Sequence, residues 1–205
     1  SYAGGKVPEG VDSTGYDAIV IVGKSRCPTV VVIQPDGVEF NDASDIWGMD
    51  TYQTEDTVNQ KFGGVGGGTT KSGAVVIGPA GENLVSYACI LHTIGRAAGR
   101  GGIGAVMGSQ NIKAIAVRGH QDLPVKDIDK VIEISEQAYK ELAAHDMMGN
   151  WQKQGLMGVI DYANMMGILP TYNFRDTHWE KAKNINGKTM LAGHKIGNTA
   201  CFCCP

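Results

Sequence analysis

The sequence predicts an α+β fold: a sheet-rich N-terminal base domain followed by the beginning of a mostly helical domain. Two observations predict it. Strand-length runs of β-branched and other apolar residues recur through the first part of the chain, separated by glycine-dense corners. Beyond Gly119 the period changes. Ile128, Val131, Ile132, Ser135, Ala138, Tyr139 and Leu142 return at helical spacing and bring a mostly apolar stripe onto one face. The expected domains are therefore 1–120 and 121–205, with the change of character near Leu123-Pro124.

Taken in order, Tyr16 to Gly23 (YDAIVIVG) and Pro28 to Gln34 (PTVVVIQ) read as strands. Pro35-Asp36-Gly37 is a turn signal that returns the chain into Val38-Glu39-Phe40. Asp42 or Ser44 can cap a short helical turn through Ile46-Trp47, and Asp50 or Thr51 can cap a helix running to about Phe62. Gly63 to Gly73 (GGVGGGTTKSG) reads as a flexible loop and lacks the spacing of a phosphate-cradling P-loop. Ala74 to Ile77, Leu84 to Leu91 and Ile112 to Val117 supply three more strands. In the helical part, further pieces run from Asn150 to Gln154 and from Leu156 to Met166, ended by Gly167 and Pro170. Met147, Met148, Met157, Met165 and Met166 read as core filler at helical spacing. No internal repeat is evident.

With 205 residues, 42% of them apolar and 19% charged, the chain has ordinary globular composition. A formal charge of -3 and the lack of a long basic run argue against nucleic acid as a partner. The longest apolar stretches, such as Ala18 to Val22 and Val30 to Ile33, are far short of the roughly eighteen residues that span a bilayer, so no membrane segment is expected. No signal peptide is visible, although the chain opens on Ser1 and leaves room for a preceding segment. Three of the five cysteines sit within four residues, where mutual disulfides would be strained, which points to a reducing cytoplasm. Cys27 and Cys89 lie in strand-like runs and read as core residues, and the five histidines show no mutual metal-site spacing.

Two segments carry chemistry. Gly95 to Gly108 (GRAAGRGGIGAVMG) holds six glycines in fourteen residues, a cost in backbone entropy accepted where main chain bends sharply or lies against a ligand. Arg96 and Arg100 add two guanidinium forks, so the stretch is either an anion cradle or a packing corner with solvated arginines. Gly99 to Gly104 formally matches G-x-G-x-x-G, but Gly108 interrupts the following helix and no acid stands at the end of the next strand, so a dinucleotide-binding unit is disfavoured. The second segment is the terminal CFCCP, in which Cys201 and Cys204 offer two sulfurs two residues apart, followed by Pro205. Two thiolates rarely suffice for zinc or a cubane cluster, so further ligands are required.

IGPAGENL (77–84), GRAAGRGGIGAVMGSQNIKAIAV (95–117), TGYDAIVIVGK (14–24), NDASDIWG (41–48) and the terminal C-x-x-C-P closely resemble the aldehyde:ferredoxin oxidoreductase family of tungsten-pterin enzymes. The resemblance is ordered along almost the whole chain and is looser from about Leu123 to Lys195. It implies a first domain whose sheets form a base for a tungsten or molybdenum ion held by the dithiolenes of two pterins. It implies also a second, helical domain that begins the iron–sulfur region. Arg96, Gly99 and Arg100 fall on positions that contact the pterins, and Ala97 on one whose backbone carbonyl binds the Mg2+ bridging the pterin phosphates. SYAGG places Gly4 on a pterin contact and Tyr2 on the second carbonyl ligand to magnesium, where the family pattern has asparagine. Val7 to Ser13 lacks the family's usual aromatic, glycine and lysine pattern.

Cys201 and Cys204 fall on the first two ligands of a [4Fe-4S] cluster, Cys203 reads as a non-ligand thiol, and the sequence looks like a fragment cut before the third ligand. The implied reaction is oxidation of a small aldehyde to a carboxylate, with electrons passing through the cluster to ferredoxin or another carrier. The catalytic acid and base belong to later sequence, so the fragment alone is expected to be inactive. Homo-oligomerisation stays open. Two other readings remain: a related subunit that reduces aryl-CoA rings or acts on other carbonyls, and a non-enzymatic module whose thiols bind zinc.

Overall fold

Val30, Val31, Val32 and Ile33 are buried on both faces of their strand, which only a central strand with both sheet faces covered can achieve. The computed structural model describes residues 1–63, 71–92 and 95–198, and these form two compact units that divide between Pro124 and Val125. In the first unit the elements are α1 (Val7–Asp12), β1 (Thr29–Gln34), β2 (Gly37–Asp42), α2 (Thr51–Phe62), β3 (Lys71–Val76), α3 (Pro79–Glu82), β4 (Ile90–His92), β5 (Arg96–Ala98), α4 (Ile103–Ser109) and β6 (Ile112–Gly119). The second holds α5 (Ile128–Ala144), α6 (Asp146–Gln154), α7 (Ile160–Met165) and α8 (Gly187–Gly193), with short 3-10 turns at Gly155–Val159 and Ala182–Asn184. The fold is α+β, as expected.

The six strands form one sheet in the order β2-β1-β6-β3-β4-β5, antiparallel throughout except for the parallel pair β1 and β6. Alternation splits its core in two. Val30 and Val32, with Ala74, Val76, Ala114 and Ala116, pack with Val58 of α2 and with Ala43 and Ile46 of the turn before it. The alanines of β6 sit opposite Val30 and Val32, and their small size lets α2 come close to the sheet's middle. Val31 and Ile33 face the other way, toward Ile77, Met107 of α4 and Val11 of α1. Each such valine or isoleucine contributes about 1.5–3 kcal/mol by leaving water.

α2 starts where it does because Asp50, in an extended conformation, accepts a hydrogen bond from the Gln53 amide at 2.8 Å, and it ends at Gly63. The preceding turn begins with the Asp42 carboxylate accepting from the Ser44 amide at 2.6 Å.

Several sequence expectations need correction. Tyr16 to Gly23 forms no strand: it runs irregularly along the surface with Val20 82% exposed, because no described strand pairs with it. Leu84 to Leu91 is a strand only at its end. Pro79 opens α3 instead, and Leu84 lies at φ +58°, a left-handed value that no strand residue takes. Lys71 to Gly73 belongs to β3 and not to a loop, while 64–70 lie outside the described residues. Gly108 does not interrupt a helix but sits within the seven-residue α4. Cys27 is exposed and Cys89 partly so, so neither is a core residue.

In the second unit, Asp127 caps α5 by accepting from the Lys130 amide at 3.0 Å, and Asn186 caps α8 by accepting from Thr189 at 2.9 Å. Polar ties organise its loops: Asn186 donates to the Asp161 carboxylate, and Asn164 bonds Trp179 through both main-chain directions. The apolar stripe of α5 is present but exposed, and of the five methionines Met147, Met165 and Met166 stand in solvent while Met148 and Met157 are half-buried, so none is fully buried. Among the described residues of this unit only Ala182, Asn186 and Gly187 are buried. No helix among the described residues is long and apolar enough to cross a membrane.

Candidate cofactor-binding site

The glycine-arginine stretch divides into two halves with different constraints. In the first half, β4 and β5 form a hairpin with Leu91 opposite Ala97 and His92 opposite Arg96, and β5 is the last strand of the sheet. Gly95 turns the hairpin at φ +84°. Ala98 anchors β5 in the interior, whereas Ala97, Gly99 and Arg100 are exposed and Arg96 is half-buried. A Cβ added at Gly99 would meet nothing within 4 Å, so its bare main chain faces open space.

In the second half the glycines serve packing. Gly101 and Gly102 take consecutive left-handed conformations, φ +88° and +65°, to swing the chain into α4. A side chain at Gly102 would strike the Ser86 carbonyl, one at Gly104 the Cys89 carbonyl, and one at Gly108 the Gly81 carbonyl. The cradle and the packing corner are thus both present, in series. The Cys89 thiol donates to the Gly99 carbonyl at 3.5 Å and ties one half to the other.

The N-terminal segment joins this surface. The Arg100 amide donates to Ser1 Oγ at 3.3 Å across nearly the whole first unit of sequence. α1 then seats on β3 at Gly73, where a Cβ would stand 3.0 Å from Val7 Cα. Tyr2, 96% exposed, and Gly4, with open space around it, lie between these two anchors. Of the residues expected to contact a cofactor, Arg96, Ala97, Gly99 and Arg100 therefore lie along the edge strand and the turn after it, Arg96 half-buried and the other three exposed, and the Tyr2–Gly4 segment is tethered there through Ser1. Cys201 and Cys204, together with Cys203, lie outside the described residues.

Beneath the surface lie ionisable groups that spacing did not single out. Lys113 of β6 is fully buried and pairs with Glu82 at the end of α3; its ammonium also donates to the Met49 carbonyl at 2.9 Å. Both Glu82 oxygens accept from the Gly48 amide at 3.0 Å. Burial pulls Lys113 below the ordinary lysine range, against the pull of Glu82 and Asp50. This junction joins NDASDIWG (41–48), IGPAGENL (77–84) and the end of the stretch 95–117, which stood apart in the sequence. His92 is buried as well, and desolvation holds it below the usual imidazole range, with Glu55 opposing and Arg96 adding to the shift. No sequence signal marked His92 or Glu55, because their neighbours come from separate elements.

Two guanidiniums beside open main chain suit an organic group that carries phosphates. Among the described residues no three histidine, cysteine or acidic side chains come together as a metal site.

Comparison with known proteins places the chain in a family. Residues 1–119 match the N-terminal domain of aldehyde ferredoxin oxidoreductase and residues 133–205 match its domains 2 and 3. The tungsten-containing aldehyde ferredoxin oxidoreductase of Pyrococcus furiosus is 38% identical over 93% of this chain, which spans 31% of that protein. An aliphatic sulfonate oxidoreductase, WOR-like subunit, from the same organism is 37% identical over 68% of the chain and 24% of that protein. In structure, the active-site complex BamBC of benzoyl coenzyme A reductase with 1,5-dienoyl-CoA matches 98% of this chain and 32% of its own, with a TM-score of 0.74 and 26% identity. The chain thus spans about a third of the relatives it matches. With both family models matched in order and the motif stretches meeting at one buried junction, the chain belongs to the aldehyde ferredoxin oxidoreductase family.

Proposed function

We propose that the chain is part of the pterin-holding base of a tungsten or molybdenum oxidoreductase that oxidises small aldehydes to carboxylates. The observation that carries this reading is the Arg96–Arg100 edge, with its two arginines, the open main chain at Gly99 and the Arg100 amide joined to Ser1. Arg96 and Arg100 neutralise and orient the pterin phosphates, while Gly99 and Gly4 let the ring system lie against bare backbone. The carbonyls of Ala97 and Tyr2 would hold the Mg2+ that goes with the phosphates. When bound, the bis-pterin metal centre supplies the two-electron oxidation with water as oxygen source. Cys201 and Cys204 would be two ligands of a [4Fe-4S] cluster, which would supply one-electron transfer to ferredoxin or another carrier. The working site is cytoplasmic, and this stretch of sequence alone is inactive.

The test is the Arg96→Ala variant of the full-length protein, read by tungsten, molybdenum and pterin content per chain. Content several-fold below wild type supports the reading, and full content overturns it. Iron and acid-labile sulfide belong in the same assay, since zinc in their place would support a thiol-bound structural metal instead of a cluster. A second substrate reading, an aryl-CoA ring reductase subunit, is favoured by the likeness to the benzoyl coenzyme A reductase complex. Turnover of aryl-CoA thioesters without turnover of aldehydes would select it.

A further inference from the structure

Two buried ionisable residues, one within it and one on α2, accompany the hairpin that carries Arg96. His92 ends β4 as the cross-strand partner of Arg96, is 1% exposed, and its Nδ1 finds no hydrogen-bond partner among the described residues. Glu55 of α2 is 6% exposed, and its charge and that of Arg96 both act on the His92 ring. α2 comes close to the hairpin at Gly95. Tyr52, three residues before Glu55 and so on the same helix face, sets its hydroxyl 3.8 Å from where a Cβ on Gly95 would stand. A carboxylate and an imidazole are costly to bury, and valines or leucines would serve a sheet core better.

We propose that Glu55 and His92 are positioning residues for Arg96, a buried polar seat under the β4–β5 hairpin that fixes where its guanidinium meets a phosphate. This rests on the reading of Arg96 as a phosphate-binding residue and goes beyond it. Glu55 supplies negative charge behind the hairpin, so that the arginine edge keeps its place before any anion arrives. His92 fills the space between as a neutral ring; a second cation there would push against the guanidinium. Its orphan Nδ1 marks a group retained for something other than hydrogen bonding within the sheet.

The experiment is a pair of double-mutant cycles in the full-length protein, Glu55→Gln with Arg96→Ala and His92→Phe with Arg96→Ala. Tungsten and pterin content per folded chain is the readout, and a thermal melt of each variant reports the fold. With Arg96 present, each seat variant should lower content by about three- to tenfold, the scale of a contact-range coupling. In the Arg96→Ala background the same substitution should change content by less than about twofold. Equal losses in both backgrounds, or full content in the single variants, would overturn the proposal. If Arg96→Ala itself keeps full content, the reading of Arg96 has failed, which the cycle reports separately. Should Glu55→Gln not fold, Glu55→Asp takes its place, with partial content expected because the charge is kept but shortened. Wild-type content in the Glu55→Asp protein together with equal losses from His92→Phe in both backgrounds would again overturn it.

Discussion

Gly99 and Gly102 stand three residues apart and answer to different constraints. Gly102 is left-handed and pressed on the Ser86 carbonyl, whereas Gly99 has an ordinary backbone and nothing near the place of a side chain. Gly99→Ala should therefore leave stability within about 0.5 kcal/mol of wild type. The added methyl projects where the proposed cofactor lies, so tungsten and pterin content should fall by several-fold. A melt and a metal analysis of one preparation check both halves of this prediction. Lys113 offers the opposite case, with no access to any ligand. Lys113→Met leaves the Glu82 carboxylate buried without its cation, and about 3–5 kcal/mol should be lost. Denaturant unfolding measures this, and the double variant Lys113→Met/Glu82→Leu should recover part of it. These residues also show what was legible. Arg96 and Arg100 could be singled out because residue type and glycine context alone suggest an anion site. Lys113 could not, since its meaning depends on a partner 31 residues away.

Among the elements, β1, β2, α2, β3 and β6 were readable because local pattern and tertiary placement agree in them. Asp50 caps α2, and Val30 to Ile33 run at strand length into a turn signal. Where the two disagree, pattern misleads. The apolar residues of Tyr16 to Gly23 have strand composition but no described partner strand, and in Leu84 to Leu91 only Ala88 is buried while Leu84 and Tyr87 stand exposed. α4 escaped notice for the reverse reason: its glycines read as breakers, though they are what lets the helix approach α3. Gly108→Ala puts a methyl against the Gly81 carbonyl and should cost about 1–3 kcal/mol through a forced shift of the helix. Because α4 follows directly from the Arg100 loop, cofactor content should drop with stability in this variant, in contrast to Gly99→Ala.

At the scale of the whole molecule the two units differ in how they hold themselves together. The first has two apolar clusters on opposite faces of one sheet, while the second relies on capped helices and polar ties around a handful of buried residues. Amide exchange of the isolated 205-residue chain should reflect this. Protection in β1 and β6 should exceed that in α5 by at least about tenfold, and equal protection in the two would contradict the burial pattern. The helical periodicity of α5 was plain in the sequence, but whether its stripe meets a core is a property of neighbours that periodicity does not encode. The position of β6 has a further consequence, for synthesis. Among the described residues it lies between β1 and β3 and alone links the β2-β1 pair to the β3-β4-β5 group, yet it is the last of the six strands to be made. A ribosome that has released everything through Asn111 has produced two separate sheet fragments with open inner edges. The nascent chain stays vulnerable to wrong pairing until eight more residues emerge to close the gap.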